Sequence, residues 1–254
     1  MGSNIEESSD YRVLEEHIRK INDDKNRFVP IEERRDTGIL GSHFLVSISR
    51  GKYMTCWRGV SMLKDPLTLV KNQKLLWELK PRTVIEFGAY KGGTALWTAD
   101  VLKMFGCKSR VISIDIDLSM VDAVARESPD VEFLDGDLSQ VEKCFPGDFL
   151  KNLPHPWFLM EDAHVNMTKV LEYFDSFLEP GDYICVEDTN PLGPSISGQG
   201  LIKELGFTEF GPAKLNELRK FLKGRSDRYH VDQRYTDFFG YNATWNTNGY
   251  LKRI

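Results

Sequence analysis

Several features that would assign the sequence to other protein classes are absent from it. No apolar run approaches the roughly 20 residues that cross a bilayer, and the charged start has no signal-peptide core. Cysteine is scarce and scattered, with four residues and no C-x-x-C pair, which argues against a zinc knuckle or a disulfide framework. Lys and Arg number 33 against 38 Asp and Glu, so charge gives no reason to expect a nucleic acid partner. We therefore expect a cytoplasmic protein with neither a membrane nor a nucleic acid partner.

The composition is that of a folded protein, with 41% hydrophobic and 28% charged residues in a chain of 254. Its length suits one large domain, which we place at 53–254, after an N-terminal helical extension at 1–52. Within the extension, Val13, Leu14 and Ile18 follow a helical spacing from Ser9 onwards and predict an amphipathic helix. We expect this helix to pack on the domain or on a second subunit, and the protein to be a homo-oligomer.

Short apolar runs alternate with helical segments from residue 83 onwards. This alternation is typical of βαβ units and predicts an α/β fold with a doubly wound, mostly parallel sheet. Ligands of such sheets bind beyond the carboxyl ends of the strands. The predicted strands are 83–87, 110–114, 131–134, 157–160 and 183–186, and the clearest helices are 66–79 and 94–105.

A glycine-rich turn follows the first predicted strand. Gly88 and Gly92 permit unusual backbone angles and close approach to a ligand. Tyr90 stands where the dinucleotide fingerprint G-x-G-x-x-G has its middle glycine, which counts against NAD. Glu86 would suit a positively charged amino group, such as that of a methionine moiety. The turn therefore favours S-adenosylmethionine as cofactor.

Acidic residues also follow the next two strands. Asp115, with Asp117 as second choice, is placed to accept hydrogen bonds from ribose hydroxyls, and Asp137 to accept one from the adenine amine. A single acid after a strand more often caps a helix or a turn. The ordered occurrence on three successive strands is what favours S-adenosylmethionine.

The fourth and fifth strands also end in acids, and they are expected to be neighbours. Asp162, Glu187 and Asp188 would then meet at one edge, where they suit a magnesium ion. Capping of the helices that follow is an equally good interpretation. His164, two residues after Asp162, is a candidate general base, although a lone histidine is more often structural.

An iron hydroxylase is a separate possibility, because His230 and Asp232 form an H-x-D pair. The third ligand of that site would be a histidine further along the chain. No histidine follows Asp232, so we discount this chemistry.

From about Tyr53 to the C-terminus, an ordered set of motifs resembles the cephalosporin hydroxylase and rhamnosyl O-methyltransferase family. Individually the motifs are modest, but the ordered set is fairly specific. They are 57–60 (WRGV), 64–66 (KDP), 84–93 (VIEFGAYKGG), 161–164 (EDAH), 186–189 (VEDT) and 248–253 (NGYLKR).

The resemblance implies a Rossmann-like fold that binds S-adenosylmethionine, and methyltransferase activity. It implies that Glu86, Gly88 and Asp115 serve the cofactor, and that the three acids after the fourth and fifth strands hold magnesium. The related macrocin-type sugar O-methyltransferases carry a histidine base shortly after the first metal aspartate, which supports His164.

These observations predict a magnesium-dependent O-methyltransferase. We expect its acceptor to be a hydroxyl or carboxylate of a small molecule, such as a secondary metabolite. The alternative is a non-catalytic S-adenosylmethionine-binding partner of another biosynthetic enzyme, such as a hydroxylase. Turnover to S-adenosylhomocysteine would distinguish the two.

Overall fold

An eight-stranded sheet runs through the centre of the protein in the computed structural model, which describes residues 9–22, 26–163, 165–191 and 210–254. A separate two-stranded hairpin, β2 and β3, lies outside it. In chain order the strands are β1 (Phe28–Val29), β2 (Cys56–Trp57), β3 (Val60–Ser61), β4 (Thr83–Phe87), β5 (Arg110–Asp115), β6 (Val131–Asp135), β7 (Trp157–Glu161), β8 (Tyr183–Val186), β9 (Tyr229–Asp232) and β10 (Tyr250–Arg253).

The strand order in the main sheet is β1-β9-β10-β8-β7-β4-β5-β6. From β8 to β6 every neighbouring pair is parallel. These are the five predicted strands, each placed to within one residue of its observed ends, so the doubly wound fold is confirmed. The sequence did not predict β10, which is antiparallel to β8 and β9, or the edge strand β1, which is antiparallel to β9.

Helices connect the strands and cover the sheet. The predicted segment 66–79 is a helix that begins where expected, because Asp65 Oδ1 accepts a hydrogen bond from the Thr68 N–H at 3.0 Å and Pro66 occupies the first turn. The described α-helices are α1 (Ser9–Asn22), α2 (Ser42–Lys52), α3 (Pro66–Leu79), α4 (Gly93–Met104), α5 (Ala123–Arg126), α6 (Val141–Cys144), α7 (Gly147–Leu150), α8 (Met167–Asp175), α9 (Phe210–Leu222) and α10 (Gln233–Thr236).

The central strand β4 is buried on both faces of the sheet. Val84 belongs to the apolar cluster on one face, which includes Leu76 of α3, whereas Ile85 belongs to the cluster on the other, which includes Phe174 of α8. This is the burial expected when helices cover both sides of a parallel sheet. A site can then form at the carboxyl ends of the strands, where the loops begin.

The predicted N-terminal extension is only partly separate from the domain. The exposed helix α1 ends at Asn22, but Phe28 and Val29 pair with β9 of the main sheet. Arg34 is buried and makes a two-point ion pair with Asp237, its Nη2 lying 2.6 Å from Oδ1. In the described part of the chain, every helix is too short or too polar to span a membrane.

Candidate active site

The predicted cofactor loop connects β4 to α4. Gly88 has a φ of 98° and Gly92 a φ of 81°, so both adopt the left-handed backbone that glycine allows. A Cβ atom at Gly88 would lie 2.9 Å from the carbonyl oxygen of Asp162. The sequence predicts that Gly88 leaves room for the cofactor. The structure adds a second reason, which is that the loop touches the backbone of Asp162.

The hairpin of β2 and β3 lies on the N-terminus of α4, an arrangement that sequence reasoning missed. A Cβ at Gly93 would meet the carbonyl oxygen of Ser61, and the Thr94 hydroxyl donates to the carbonyl oxygen of Met62 at 3.2 Å. The backbone following the hairpin therefore packs on the first turn of α4. It fixes the helix end to which the cofactor loop leads.

Glu86 lies at the end of β4 and is only 2% exposed. Its Oε2 accepts a hydrogen bond from the Ser113 hydroxyl at 2.5 Å. Burial raises the pKa of Glu86 to about 8, against the opposing effects of Lys64 and Ser113. A cation placed beside this carboxyl would favour its ionised form.

Asp115 ends β5 beside the cofactor loop. Its Oδ2 accepts a hydrogen bond from the Tyr90 N–H at 2.9 Å, and Tyr90 itself has a φ of 48°. Asp117 instead accepts from the Ser119 N–H at 2.8 Å and caps the short 3₁₀ turn Leu118–Met120. The structure therefore brings Asp115, rather than Asp117, against the loop.

Asp137 follows β6 and also caps a turn. Its two carboxylate oxygens accept hydrogen bonds from the N–H and the hydroxyl of Ser139, at 2.8 and 2.7 Å. These bonds lower the pKa of Asp137. The capping role, the simpler interpretation of this acid, is observed, and its contact with adenine stays a prediction.

The acids after β7 and β8 meet at one edge of the sheet, as predicted. Asp162 follows β7, and the Glu187 N–H donates to the carbonyl oxygen of Glu161 at 3.0 Å. Asp188 has a φ of 59°, which is uncommon for a residue with a side chain. Asp162 does not cap the helix that follows it, since the N-cap of α8 is Asn166.

Lysines lie among these acids, and no role for them was predicted from the sequence. The Nζ of Lys64 is 2.6 Å from Asp162 Oδ2 and 2.7 Å from Glu187 Oε2, and its side chain is only 4% exposed. The Nζ of Lys52, at the end of α2, is 3.2 Å from Asp188. Burial alone would lower the pKa of Lys64, but the carboxylates outweigh it and hold that pKa well above its ordinary value.

A third lysine completes this arrangement. The Nζ of Lys214 in α9 is 2.7 Å from Glu161 Oε2, and both side chains are buried. Burial disfavours the Lys214 ammonium, but the charges of Glu161 and, to a smaller extent, Asp162 and Asp188 outweigh it and raise the pKa of Lys214. Each of the four acids at the ends of β7 and β8 is therefore paired with a lysine that lies outside the parallel strands. These acids are Glu161, Asp162, Glu187 and Asp188.

The chemistry of the predicted metal ligands suits a divalent cation, because carboxylates are hard oxygen donors. The Glu187 Oε1 atom is buried and accepts no hydrogen bond from a described residue. However, within the described ranges no three Asp, Glu, His or Cys side chains are grouped closely enough to hold an ion. Two of the three predicted ligands, Asp162 and Glu187, are instead bridged by Lys64.

His164, the predicted base, lies outside the described residues. The H-x-D pair has other partners in the structure. The His230 ring lies 3.0 Å from the carbonyl oxygen of Ser226, and the buried Asp232 binds Arg27 at 2.7 Å. Asp232 therefore anchors the edge of the sheet.

A doubly wound sheet with a glycine-rich loop and acids meeting at the carboxyl ends of its strands is the architecture of nucleoside-binding α/β proteins, to which the class I O-methyltransferases belong. Residues 50–254 match the family model of rhamnosyl O-methyltransferase/CmcI. The chain belongs to this family of S-adenosylmethionine-dependent O-methyltransferases, so the family resemblance is confirmed.

Individual relatives agree with this assignment. A rhamnosyl O-methyltransferase of Mycobacterium leprae (strain TN) is 30% identical over 203 residues, which cover 78% of this chain and 83% of that protein. Two solved structures of CmcI, an apo form and an Mg-SAM form, are each 30% identical. Both superpose with a TM-score of 0.62, over 80% of this chain and 77% of theirs.

Proposed function

We propose that this chain is an S-adenosylmethionine- and magnesium-dependent O-methyltransferase that acts on a hydroxyl or carboxylate of a small molecule. The observation that carries the proposal is the contact between the cofactor loop and the acids that follow β7 and β8, where Gly88 lies against the backbone of Asp162. A methyl donor seated on the loop would lie next to an acceptor held at the acids. Family membership supports the same chemistry.

Residues in and beside the cofactor loop would hold the cofactor. We assign the amino group of its methionine moiety to Glu86 and its ribose hydroxyls to Asp115, with Asp137 kept for the adenine amine. Because burial favours the protonated form of Glu86, binding of a cationic amino group would be accompanied by loss of that proton. Gly88 and Gly92 let the backbone approach the cofactor closely.

The acids that follow β7 and β8 would hold the acceptor. Asp162, Glu187 and Asp188 are the residues that would bind magnesium, which supplies a Lewis acid that lowers the pKa of an acceptor hydroxyl. His164 is the proposed base that takes up the hydroxyl proton. A carboxylate acceptor is already anionic, so it needs orientation but no base.

The test is methyl transfer to candidate acceptors, measured as S-adenosylhomocysteine formed with Mg²⁺ and with a chelator. We expect turnover only with Mg²⁺, and Asp162→Ala should abolish it. His164→Ala should lower turnover on a hydroxyl acceptor by roughly 10²- to 10⁴-fold, the usual contribution of a general base, with cofactor affinity retained. Turnover that survives both the chelator and Asp162→Ala would show that Asp162, Glu187 and Asp188 have a structural role only.

The same assay addresses the non-catalytic alternative, since a binding partner would retain the cofactor without turnover.

We further propose that the protein is a homo-oligomer, because α1 exposes apolar side chains, including Val13 at 66% and Leu14 at 52%. A cytoplasmic location, expected from the unpaired cysteines, stays a prediction.

A further inference from the structure

The position between Asp162 and Glu187 is already held by a cation of the chain itself. The Lys64 ammonium makes ion pairs of 2.6 and 2.7 Å with one oxygen of each acid. Both Lys64 and Glu187 are almost fully buried. Removing one partner of this ion pair would therefore leave the other as an uncompensated buried charge, at a cost in free energy. Lys64 therefore offsets part of the negative charge of the two acids in this arrangement.

A divalent cation bound to the same two oxygens would be a close neighbour of this ammonium. Mg²⁺ binds oxygen at about 2.1 Å, so the ion and the Lys64 Nζ would lie less than about 5 Å apart. Two positive charges at that distance repel each other, and more strongly in a buried site than in water. Binding of a divalent cation to Asp162 and Glu187 is therefore opposed by the Lys64 ammonium, and the reverse is also true.

The backbone around Lys64 fixes where its side chain begins. The Lys64 carbonyl oxygen accepts a hydrogen bond from the Thr55 hydroxyl at 2.7 Å, and the next residue, Asp65, caps α3. Its long side chain remains the adjustable part, since an ammonium on a four-carbon stem can move without the backbone. Withdrawal of the ammonium is therefore possible within the fold.

We propose that Lys64 is a built-in counter-ion that competes with the divalent cation for Asp162 and Glu187, so that metal binding displaces its ammonium from these acids. This inference rests on the proposed magnesium dependence. It makes Lys64 a positioning residue, which keeps the acids in place while the metal is absent and weakens metal affinity.

The test is Mg²⁺ affinity by titration calorimetry on the full chain, compared between the wild type and Lys64→Met. Removal of the competing charge should tighten Mg²⁺ binding by about tenfold or more, which corresponds to about 1.4 kcal/mol. Lys103→Met is the matched control, because Lys103 also pairs with a carboxylate, Asp130 at 2.7 Å, but is 67% exposed. The control should bind Mg²⁺ as the wild type does.

Thermal melting provides the second measurement. In a chelator, Lys64→Met should melt below the wild type because the buried Glu187 and the partly exposed Asp162 lose their counter-ion, and Mg²⁺ should restore its stability. Lys64→Gln, which keeps a hydrogen-bond donor, repeats the test if Lys64→Met is poorly folded. Failure of both variants to fold even with Mg²⁺ would overturn the proposal, since the metal could not then take over from the ammonium.

The outcomes separate this inference from the proposed function. Wild-type Mg²⁺ binding that Lys64→Met does not strengthen would refute the competition and leave the magnesium dependence standing. No Mg²⁺ binding by either protein would refute both. Binding by Lys64→Met alone would show that the two cations compete, but it would refute both the displacement of the wild-type ammonium by the metal and the proposed magnesium dependence.

Discussion

Asp188 shows how the site constrains single residues. Its left-handed φ of 59° costs a residue with a side chain of the order of 1–3 kcal/mol, and such strain tends to occur at functional sites. The Asp188 N–H donates to the Asn246 side chain at 3.0 Å, which helps to hold this conformation. The strained backbone directs the carboxylate to within 3.2 Å of Lys52, beside the other acids.

Gly88 allows a sharp prediction, because the chain offers a matched control. Gly88 and Gly181 have nearly the same φ, 98° and 103°, but a Cβ at Gly181 would meet nothing within 4 Å. Gly181→Ala should cost only the left-handed strain, about 1–2 kcal/mol, and leave S-adenosylmethionine binding intact. Gly88→Ala should cost more and also abolish binding, because its Cβ would push on the backbone of Asp162.

The measurements are calorimetric titration with S-adenosylmethionine and chemical denaturation of both variants. Equal losses of stability, together with wild-type cofactor affinity in Gly88→Ala, would contradict the structural explanation of this glycine.

The site residues differ in how far the sequence could predict them. The acids after the strands were predictable, since the carboxyl ends of adjacent parallel strands meet at one edge. The role of Lys64 was not, because no sequence pattern distinguishes a buried lysine from an exposed one. The available signals were its membership of the 64–66 (KDP) motif and its place immediately before Asp65, which caps α3 and so fixes the backbone beside the site.

Among the elements, the two-residue strand β1 depends on side chains for its attachment. Arg27, just before it, pairs with Asp232 of β9 at 2.7 Å and with Glu78 of α3 at 2.9 Å. Glu78 also accepts a hydrogen bond from the Tyr235 hydroxyl at 2.7 Å and pairs with Arg234 at 3.0 Å. One carboxylate thus joins the edge of the sheet to a helix.

This network predicts a specific loss of stability in acid. Burial would raise the pKa of Glu78, but Tyr235 and the two arginines outweigh it and lower that pKa from 4.5 to about 2. As the pH falls, Glu78 is therefore protonated at a higher pH in the unfolded chain than in the folded protein. The stabilisation is fully present above about pH 4.5 and is lost as the pH falls towards 2.

Denaturation curves of Glu78→Gln against the wild type test this. We expect Glu78→Gln to be less stable at pH 7 by about 1.5–3 kcal/mol, the range for hydrogen bonds to charged groups, with the difference shrinking below pH 4.5. Glu132→Gln removes a largely exposed pair with Arg110 and should change little at any pH. A difference for Glu78→Gln that does not depend on pH would disprove the role of its ionisation.

Elements were predictable where their pattern was strong. The five parallel strands and the helices α3 and α4 have apolar runs or periodicities of sufficient length. Two-residue strands such as β1 have no periodicity, and β10 has polar residues whose strand conformation depends on pairing with β8 and β9. Helix α2 was missed because serine, valine and isoleucine are indifferent helix formers.

For the whole molecule, the exposed helix α1 is the feature that most needs a partner. Tyr11, Val13, Leu14 and Ile18 are each at least 49% exposed. Of the aromatic residues near the C-terminus, Trp245 is not available for an interface, since it is buried with Leu45 of α2. Phe238 and Phe239 are partly exposed, at 37% and 41%.

We expect the full chain to scatter light as a multiple of its 29.2 kDa mass. Leu14→Glu combined with Ile18→Glu should shift the mass towards the monomer, because charges in an apolar interface are costly. Glu16→Gln, on the same helix, should not. A monomeric wild type at high concentration would refute the prediction, and an unchanged mass in the double variant would place the interface elsewhere.

The contact between Gly88 and the backbone of Asp162 has a thermodynamic consequence. With the Asp162 N–H also donating to the Phe87 carbonyl oxygen at 3.0 Å, the loop after β4 and the residue after β7 cannot shift independently. Two ligands that bind on either side of this contact would be energetically coupled. Whichever ligand binds first would change the affinity of the second by the same factor as in the reverse order.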